Sequence, residues 1–171
     1  MHTAAMKNIV NIEEVEETSW NHGPHWACFD RKLTPALMPR IGHLGVAATR
    51  IKPGTSGCPA HTHQSEDEVF FILSGRGIFR YGDEVQEIKP GDCISCPAGS
   101  GVAHQLANPF GEDLVYLCIG MNDANEVCTY PDSGKIWIRS LDRTGRLDER
   151  DYMQDEPETP KIFGLCSARE K

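Results

Sequence analysis

Three histidines and one glutamate in the middle of the chain have the types and spacing of a metal site. His61 and His63 are two residues apart, Glu68 follows after four more residues, and His104 comes from a separate segment. Because side chains alternate across a β-strand, His61 and His63 point to the same face. Imidazole nitrogens and carboxylate oxygens are common ligands of divalent transition metals. The sequence therefore predicts one metal ion bound by His61, His63, Glu68 and His104.

The choice of carboxylate rests on the strand that follows the two histidines. The adjacent candidates are Glu66, Asp67 and Glu68. Only Glu68 leads directly into the apolar run 69–73, so the pleat of that strand sets its direction. Glu66 belongs to the preceding loop, where we expect it to face solvent. Glu68 is the preferred ligand, and Glu66 is the alternative.

These ligands do not select one metal. Three imidazoles and one carboxylate suit Fe(II), Mn(II), Ni(II) or Zn(II), and availability and geometry decide which ion is bound. On a six-coordinate ion such a set leaves coordination positions open, which a substrate or dioxygen can occupy. The expected cofactor is one divalent metal ion (Fe, Mn, Ni or Zn) at an open site.

The two segments that carry these residues resemble the paired motifs of the cupin superfamily. The first has the order His-x-His, four residues, Glu, six residues, Gly, and it ends at Gly75. The second has the order Gly, five residues, Pro-x-Gly, a gap, His, three residues, Asn; its members are Gly91, Pro97, Gly99, His104 and Asn108. The resemblance implies an all-β fold, a double-stranded β-helix or jelly-roll barrel, with the metal inside it.

One spacing departs from the cupin pattern. Four residues separate Gly99 from His104, where the usual gap is two. Gly101 lies in that gap and tolerates unusual backbone angles, so we expect the loop to absorb the extra pair. The stretch 129–135 is similar to a group of small, mostly uncharacterised bacterial cupins that are loosely labelled sugar-phosphate-isomerase-like. This weaker resemblance covers roughly residues 8–138.

Short strands separated by turns must position the site. Gly and Pro turns punctuate the predicted strands, which are 46–51, 61–63, 69–73, 77–81, 85–88, 93–96, 104–106 and 114–119. Many short strands with such punctuation indicate an all-β sandwich or barrel. The 171 residues suit one domain. Its expected parts are a barrel core at about 44–120 with an N-terminal extension at 1–43 and a C-terminal extension at 121–171.

Within the N-terminal extension we expect little regular structure. Residues 1–7 are predicted to be disordered, 8–15 to form a peripheral strand, and 34–40, with two prolines, to form a loop or a single helical turn. His22 and His25 flank a Gly-Pro pair between two tryptophans, which is typical of a loop with aromatic anchors. They are therefore left out of the metal site.

The remaining pocket should come from inward side chains of the barrel strands. Phe70, Ile72, Leu106 and Tyr116 are expected to line it, giving an apolar wall with one polar tip.

Three polar residues could lie near the mouth of the pocket. These are Arg50, His43 and Gln105. We expect each to be a surface or turn residue rather than a substrate contact.

The seven cysteines indicate reduced thiols in a cytosol, because their number is odd and no secretion signal precedes them. Cys93 and Cys96 are three apart in a strand, which places their thiols on opposite faces and prevents a shared metal or disulfide. They are expected to be small buried hydrophobic residues, as is Cys118. Cys58 is the one thiol expected to be prone to oxidation.

Composition excludes several classes of partner. The formal net charge of −8 and the lack of clustered Lys and Arg argue against nucleic-acid binding. No apolar run is long enough for a membrane span, and the N-terminus has no signal-peptide core. These features indicate a cytoplasmic protein with no membrane partner. The charged segments 143–151 and 155–160 suit a short charged helix or a solvated arm.

The run 69–73 is apolar on both faces of its strand, although a barrel wall normally has one wet face. If Phe70 and Ile72 face inward, then Val69, Phe71 and Leu73 need cover from elsewhere. We expect a two-fold homodimer to provide it. The alternative is that segment 8–15 or the region around Trp137 folds over this face.

Two functions are compatible with such a site. The first is a metal-dependent enzyme acting on a small oxygenated metabolite, a sugar derivative or an organic acid, by isomerisation, dioxygenation or decarboxylation. The second is a non-catalytic module that binds a small ligand for sensing or storage. The sequence favours the enzyme because an open metal site is readily used for chemistry, but the motif segments show no clear additional acid or base.

Overall fold

A computed structural model of the protein describes residues 8–37 and 44–167. The expectations for residues 1–7, for the end of the 34–40 loop and for His43 lie outside the described residues. The strands are β1 (Thr18–His22), β2 (Trp26–Lys32), β3 (Leu44–Ile51), β4 (Thr55–Ser56), β5 (Thr62–His63), β6 (Glu68–Ser74), β7 (Gly77–Tyr81), β8 (Glu84–Ile88), β9 (Cys93–Cys96), β10 (His104–Asn108), β11 (Leu114–Met121), β12 (Val127–Tyr130), β13 (Lys135–Ile138) and β14 (Arg143–Gly145).

The strands form two sheets that curl towards each other. The larger has ten strands in the order β8-β7-β10-β4-β2-β3-β11-β6-β9, with β1 added beside β2. The smaller has four strands in the order β14-β13-β12-β5. Nearly all pairings are antiparallel, and neighbours distant in sequence such as β11 and β3 share the longest ladder. The all-β jelly-roll architecture expected from the sequence is confirmed.

The core lies between the inward faces of β3, β6, β10 and β11. Phe70 faces Cys118 and Ile72 faces Tyr116 across the β6–β11 pair, and Ile51 faces Leu114 across β3–β11. These side chains belong to one buried apolar cluster, because the two-residue period of each strand sends alternate side chains to the same face. This cluster forms the floor beneath the predicted metal ligands.

The N-terminal extension differs from its prediction. Residues Ile12–Glu14 form a 3-10 helix, so the peripheral strand predicted at 8–15 is wrong. Asn11 explains the difference, because its side chain accepts a hydrogen bond from the backbone N–H of Glu13 and caps the helix. The segment predicted as a loop with aromatic anchors is the tight turn of a β1–β2 hairpin, and β2 pairs with β3 in the large sheet.

The C-terminal extension completes the small sheet before the chain leaves the body of the domain. A second 3-10 helix, Arg139–Leu141, follows β13, and a short α-helix, α1 (Lys161–Ser167), lies beyond the exposed segment 146–160. Segment 146–160 is exposed to solvent, as expected for a charged arm. No helix in the described part of the chain has the length and apolar character needed to cross a membrane.

Two glycines satisfy backbone requirements near the motifs. Gly101 has a φ of 70°, which accommodates the longer loop before His104, as expected. Gly75 has a φ of 75° at the end of β6, and a Cβ there would lie 2.1 Å from the carbonyl oxygen of Asp113. Only glycine fits this close approach of two backbones.

Candidate metal centre

The four predicted ligands converge on one point. Nε2 of His61 lies 3.1 Å from Nε2 of His63, and Oε2 of Glu68 lies 3.2 Å from Nε2 of His63 and 2.9 Å from Nε2 of His104. All four donor atoms lie within 4.8 Å of one another. Donors that each sit about 2.1 Å from one metal ion are separated by about 3 Å when adjacent, so this set fits a single ion.

Backbone pairing holds the two histidine segments together. The N–H of His61 donates to the carbonyl of His104 at 3.1 Å, and the N–H of His104 donates to that of His61 at 2.9 Å. His63 lies in β5 of the small sheet, whereas Glu68 and His104 begin strands β6 and β10 of the large sheet. The centre therefore joins the two sheets at one end of the barrel.

Contacts of the remaining ring nitrogens orient two of the imidazoles. Nδ1 of His61 lies 2.9 Å from the carbonyl oxygen of Pro59, which requires that this nitrogen carry the proton and donate it. Nδ1 of His63 faces Cys128 Sγ at 3.5 Å, Glu126 at 3.6 Å and Glu66 at 3.7 Å. Both rings thus present Nε2 to the centre, as metal-binding histidines with such outer partners do.

Burial and neighbouring groups shift the pKa values of His61, His63 and Glu68. Burial, reinforced by the neighbouring His104 and His63, lowers the pKa of His61 to about 4. Burial opposes charge on His63, but hydrogen bonds with Cys128 and Glu68 raise its pKa to about 10. Burial would raise the pKa of Glu68, yet hydrogen bonds from His104 and His63 hold it well below its usual range. A metal ion must displace a proton from His63 to bind.

Glu66 is buried, so the expectation that it faces solvent is wrong. Its side chain is 4% exposed and forms a two-pronged ion pair with Arg139, including a 2.8 Å bond from Nη2 to Oε2. Arg139 also donates to the carbonyl of Asp123 at 2.7 Å. Glu66 therefore lies behind His63, outside the group of four, and its charge is compensated by a residue 73 positions away.

Glu126 is a second buried carboxylate that the sequence did not reveal. It is fully buried, and its two oxygens accept the backbone N–H groups of Gln64 at 2.7 Å and Ser65 at 3.0 Å. These bonds fix the loop between His63 and Glu68. His63, Glu126 and Cys128 could themselves hold an ion, but both Glu126 oxygens already accept backbone hydrogen bonds. No local signal marked Glu126, because it lies outside both motifs and acts across 62 positions.

A cavity of about 230 Å³ opens beside the centre. Its lining includes the ligands His63 and Glu68 and, around them, Lys32, Cys118 and Arg139. The centre is therefore accessible to a small molecule from one side.

The four residues expected to line the pocket lie elsewhere. Phe70, Ile72, Leu106 and Tyr116 belong to the packed core and do not line this cavity. The ring of Phe70 lies 5.8 Å from that of His104, so the core contacts the centre from below. The inward direction predicted for these side chains leads into tight packing because neighbouring strands fill the space between them.

The other polar candidates have structural partners. Arg50 forms ion pairs with Glu17 at 2.7 Å and with Asp113 at 2.9 Å. Gln105 donates to Ser56 Oγ at 3.1 Å and to the carbonyl of Cys58 at 2.9 Å. Both lie within strands, Arg50 in β3 and Gln105 in β10, rather than in turns, and neither lines the metal cavity.

The burial of one cysteine differs from its prediction. Cys93 and Cys96 lie on opposite faces of β9 as expected, but Cys93 is exposed, so its predicted burial is wrong. Burial raises the pKa of the Cys58 thiol to about 12, which disfavours the reactive thiolate, and the oxidation expected there stays a prediction. Cys118 lines the metal cavity and donates to Glu68 Oε1 at 3.5 Å.

Known proteins share this arrangement of strands. The family described as "Cupin domain" matches residues 48–120, the stretch that holds all four side chains. The oxalate-binding protein of Thermotoga maritima is 34% identical over 73 residues, which are 43% of this chain and 58% of that protein. The chain thus spans less than two thirds of that relative.

Two solved structures cover more of the chain. A protein named as a candidate sugar phosphate isomerase from Acidithiobacillus ferrooxidans is 26% identical, with a TM-score of 0.61 over 78% of this chain and 82% of that one. A sugar phosphate isomerase of a cupin superfamily from Silicibacter pomeroyi is 21% identical, with a TM-score of 0.71 over 85% of this chain and 97% of that one. The second likeness shows the fold alone.

Proposed function

We propose that this chain, whose residues 48–120 match the cupin-domain family, is a metal-dependent enzyme that acts on a small oxygenated metabolite, a sugar derivative or an organic acid. One divalent ion, Fe, Mn, Ni or Zn, would be held by His61, His63, Glu68 and His104. The observation that carries the proposal is the convergence of these four side chains beside a cavity of about 230 Å³ that is lined by two of them, His63 and Glu68.

Charges around the cavity favour a ligand with anionic oxygen atoms. Arg139 is neutralised by Glu66, whereas none of the ion pairs formed by the described residues includes Lys32. Lys32 follows Cys28 and Asp30 on the inward face of β2, which directs it towards the cavity. A carboxylate or phosphate oxygen on the ligand would pair with this ammonium while another oxygen approached the metal position.

The chain's own residues then have separate tasks. When bound, the ion supplies a Lewis acid or a redox centre for the reaction. Lys32 orients the ligand, and the hydrogen bonds to Pro59 and Cys128 hold the imidazoles of His61 and His63 in one direction. The apolar core beneath His104 excludes water from the buried side of the centre.

A second candidate function is non-catalytic capture of a small ligand. The observation that favours it is the lack of a free carboxylate or thiolate, apart from the ligand Glu68, among the described residues of the cavity wall. Glu66 is tied to Arg139, and burial together with the nearby Glu68 raises the pKa of the Cys118 thiol well above its usual range. The relative from Thermotoga maritima is named for binding oxalate and not for a reaction.

Metal analysis followed by turnover assays tests both candidates. Protein purified without added metal should contain close to one ion per chain, and His104→Ala should lose most of it while its circular dichroism stays unchanged. Retention of stoichiometric metal by His104→Ala would refute the site. Metal-loaded protein is then incubated with sugar phosphates and small organic acids. Product formation that Glu68→Gln abolishes supports the enzyme, whereas binding with no product supports capture.

A further inference from the structure

A second cavity, of about 420 Å³, lies between the β1–β2 hairpin and the β12–β13 turn. Side chains from both elements line it, namely Trp20, His22, Trp26, Asp132, Ser133 and Lys135. None of them lines the metal cavity. We call this cavity the tryptophan cleft.

One wall of the tryptophan cleft is aromatic. Trp20 and His22 are two residues apart on β1, so they share one face, and Trp26 lies directly opposite His22 on β2. Trp20 remains 41% exposed although it is a large apolar residue. Flat indole surfaces left open to a concave space are typical of ligand sites with stacked rings.

The opposite wall of the cleft supplies both hydrogen-bond acceptors and hydrogen-bond donors. Two hydrogen bonds from the guanidinium of Arg80, at 2.6 and 3.0 Å, hold the carboxylate of Asp132 in place. The ammonium of Lys135 lies 5.3 Å from the ring of Tyr130, and none of the ion pairs formed by the described residues includes it. Ser133 adds a hydroxyl. The cleft therefore has hydrogen-bond acceptors and donors beside the indoles, and the charge of Asp132 is compensated by Arg80.

We infer that the tryptophan cleft binds the ring of a sugar. A pyranose has an apolar C–H face that can lie on an indole, and a rim of hydroxyls that each donate and accept hydrogen bonds. The cleft offers the complementary surfaces, an aromatic wall and a rim with Asp132 as acceptor and Lys135 as donor. The inference is independent of the chemistry at the metal centre.

The test is a titration of ¹⁵N-labelled, metal-loaded full chain with methyl glucoside, maltose and cellobiose. The indole N–H signals of Trp20 and Trp26 should shift with at least one sugar, while that of Trp137 stays in place. Affinity on the order of millimolar is expected for so open a site. Trp20→Ala should weaken binding by about tenfold or more, the loss of one aromatic contact. Lys135→Ala should weaken it by a smaller factor.

Controls separate a sugar site from a general aromatic surface. Tyr152→Ala removes another exposed aromatic residue and should bind sugar as the unmodified protein does. Trp20→Phe should recover part of the affinity lost in Trp20→Ala, which also shows that the hairpin still folds. No shift of either indole at the solubility limit of the sugars overturns the inference. Binding of adenosine through the same indoles, with no sugar response, overturns it as well.

Discussion

At the scale of single residues, His63 has two distinct sides. Its Nε2 faces the metal position, and its Nδ1 faces Cys128, Glu126 and Glu66. The outer side is rich in acceptors, so it favours an imidazole that donates from Nδ1 and keeps Nε2 for the metal. The same surroundings hold an extra proton when no metal is present.

That extra proton should be released when metal binds. The pKa of His63 in the metal-free protein is raised to about 10, so at neutral pH its ring is protonated, whereas the pKa of His61, lowered to about 4, leaves that ring neutral. Binding should therefore release about one proton from His63, and affinity should rise roughly tenfold per pH unit between about pH 7 and 9. Calorimetry in buffers of different ionisation enthalpy measures the release. Affinity independent of pH over this range would contradict the assignment.

Replacing Lys32 should lower the affinity for the ligand and leave the metal content unchanged. Lys32→Ala removes the cavity's one cation that lacks an ion-pair partner among the described residues, so affinity of the metal-loaded protein for a small dicarboxylate such as malonate should fall by about tenfold. Lys32→Arg should restore much of it. The matched control is Lys89→Ala, an exposed lysine on another part of the barrel, which should have no effect. Equal loss in both variants would show a nonspecific charge effect.

At the scale of elements, the loop between β5 and β6 fixes the spacing of His63 and Glu68. Glu126 accepts two backbone N–H groups of this loop, and Glu66, within the loop, pairs with Arg139. Contacts with Glu126 and Arg139 therefore fix the conformation of this loop. Both partners come from the C-terminal part of the chain, beyond the matched cupin segment.

Removing the acceptor on Glu126 should loosen this loop. Glu126→Gln keeps the shape but turns one acceptor oxygen into a donor, so one buried backbone N–H loses its partner at a cost of about 1–3 kcal/mol. We expect a lower free energy of unfolding in urea and weaker metal binding. Glu87→Gln, at an exposed glutamate paired with Arg76, is the control and should change stability by no more than about 0.5 kcal/mol. Unchanged metal affinity in Glu126→Gln would show that the loop does not depend on this carboxylate.

The elements also show what the sequence can and cannot predict. Strands β7 and β9 match their predicted bounds, because Gly and Pro punctuate them and their side chains alternate. The β1–β2 hairpin was missed because Gly23 and Pro24, which indicated a loop, occupy a tight turn between strands whose mixed polar residues do not alternate. The four ligands could be predicted because they belong to local sequence motifs. The Glu66–Arg139 pair could not be predicted, because it joins positions 73 apart and no local motif marks it.

At the scale of the whole molecule, the outer face of the large sheet carries exposed apolar residues on β6. Phe71 faces Leu117 across the β6–β11 pair. Phe71 and Leu73 remain 38% and 40% exposed. Among the described residues, the two alternative covers have contacts elsewhere: the 3-10 helix of the N-terminal segment contacts Arg31 on β2, and the region around Trp137 pairs within the small sheet. An exposed apolar face of this kind commonly marks an association surface.

We therefore predict a two-fold homodimer formed through this face. Light scattering at micromolar concentration should report twice the 19.0 kDa chain mass. Phe71→Glu should give the monomer with its metal content intact, because the introduced charge would be buried without a partner at the interface while the inward core stays unchanged. Val85→Glu adds the same charge at an exposed apolar residue of the edge strand β8 and should leave the dimer intact. A 19.0 kDa species for the unmodified chain would contradict the prediction, and so would a Phe71→Glu dimer as stable as the original.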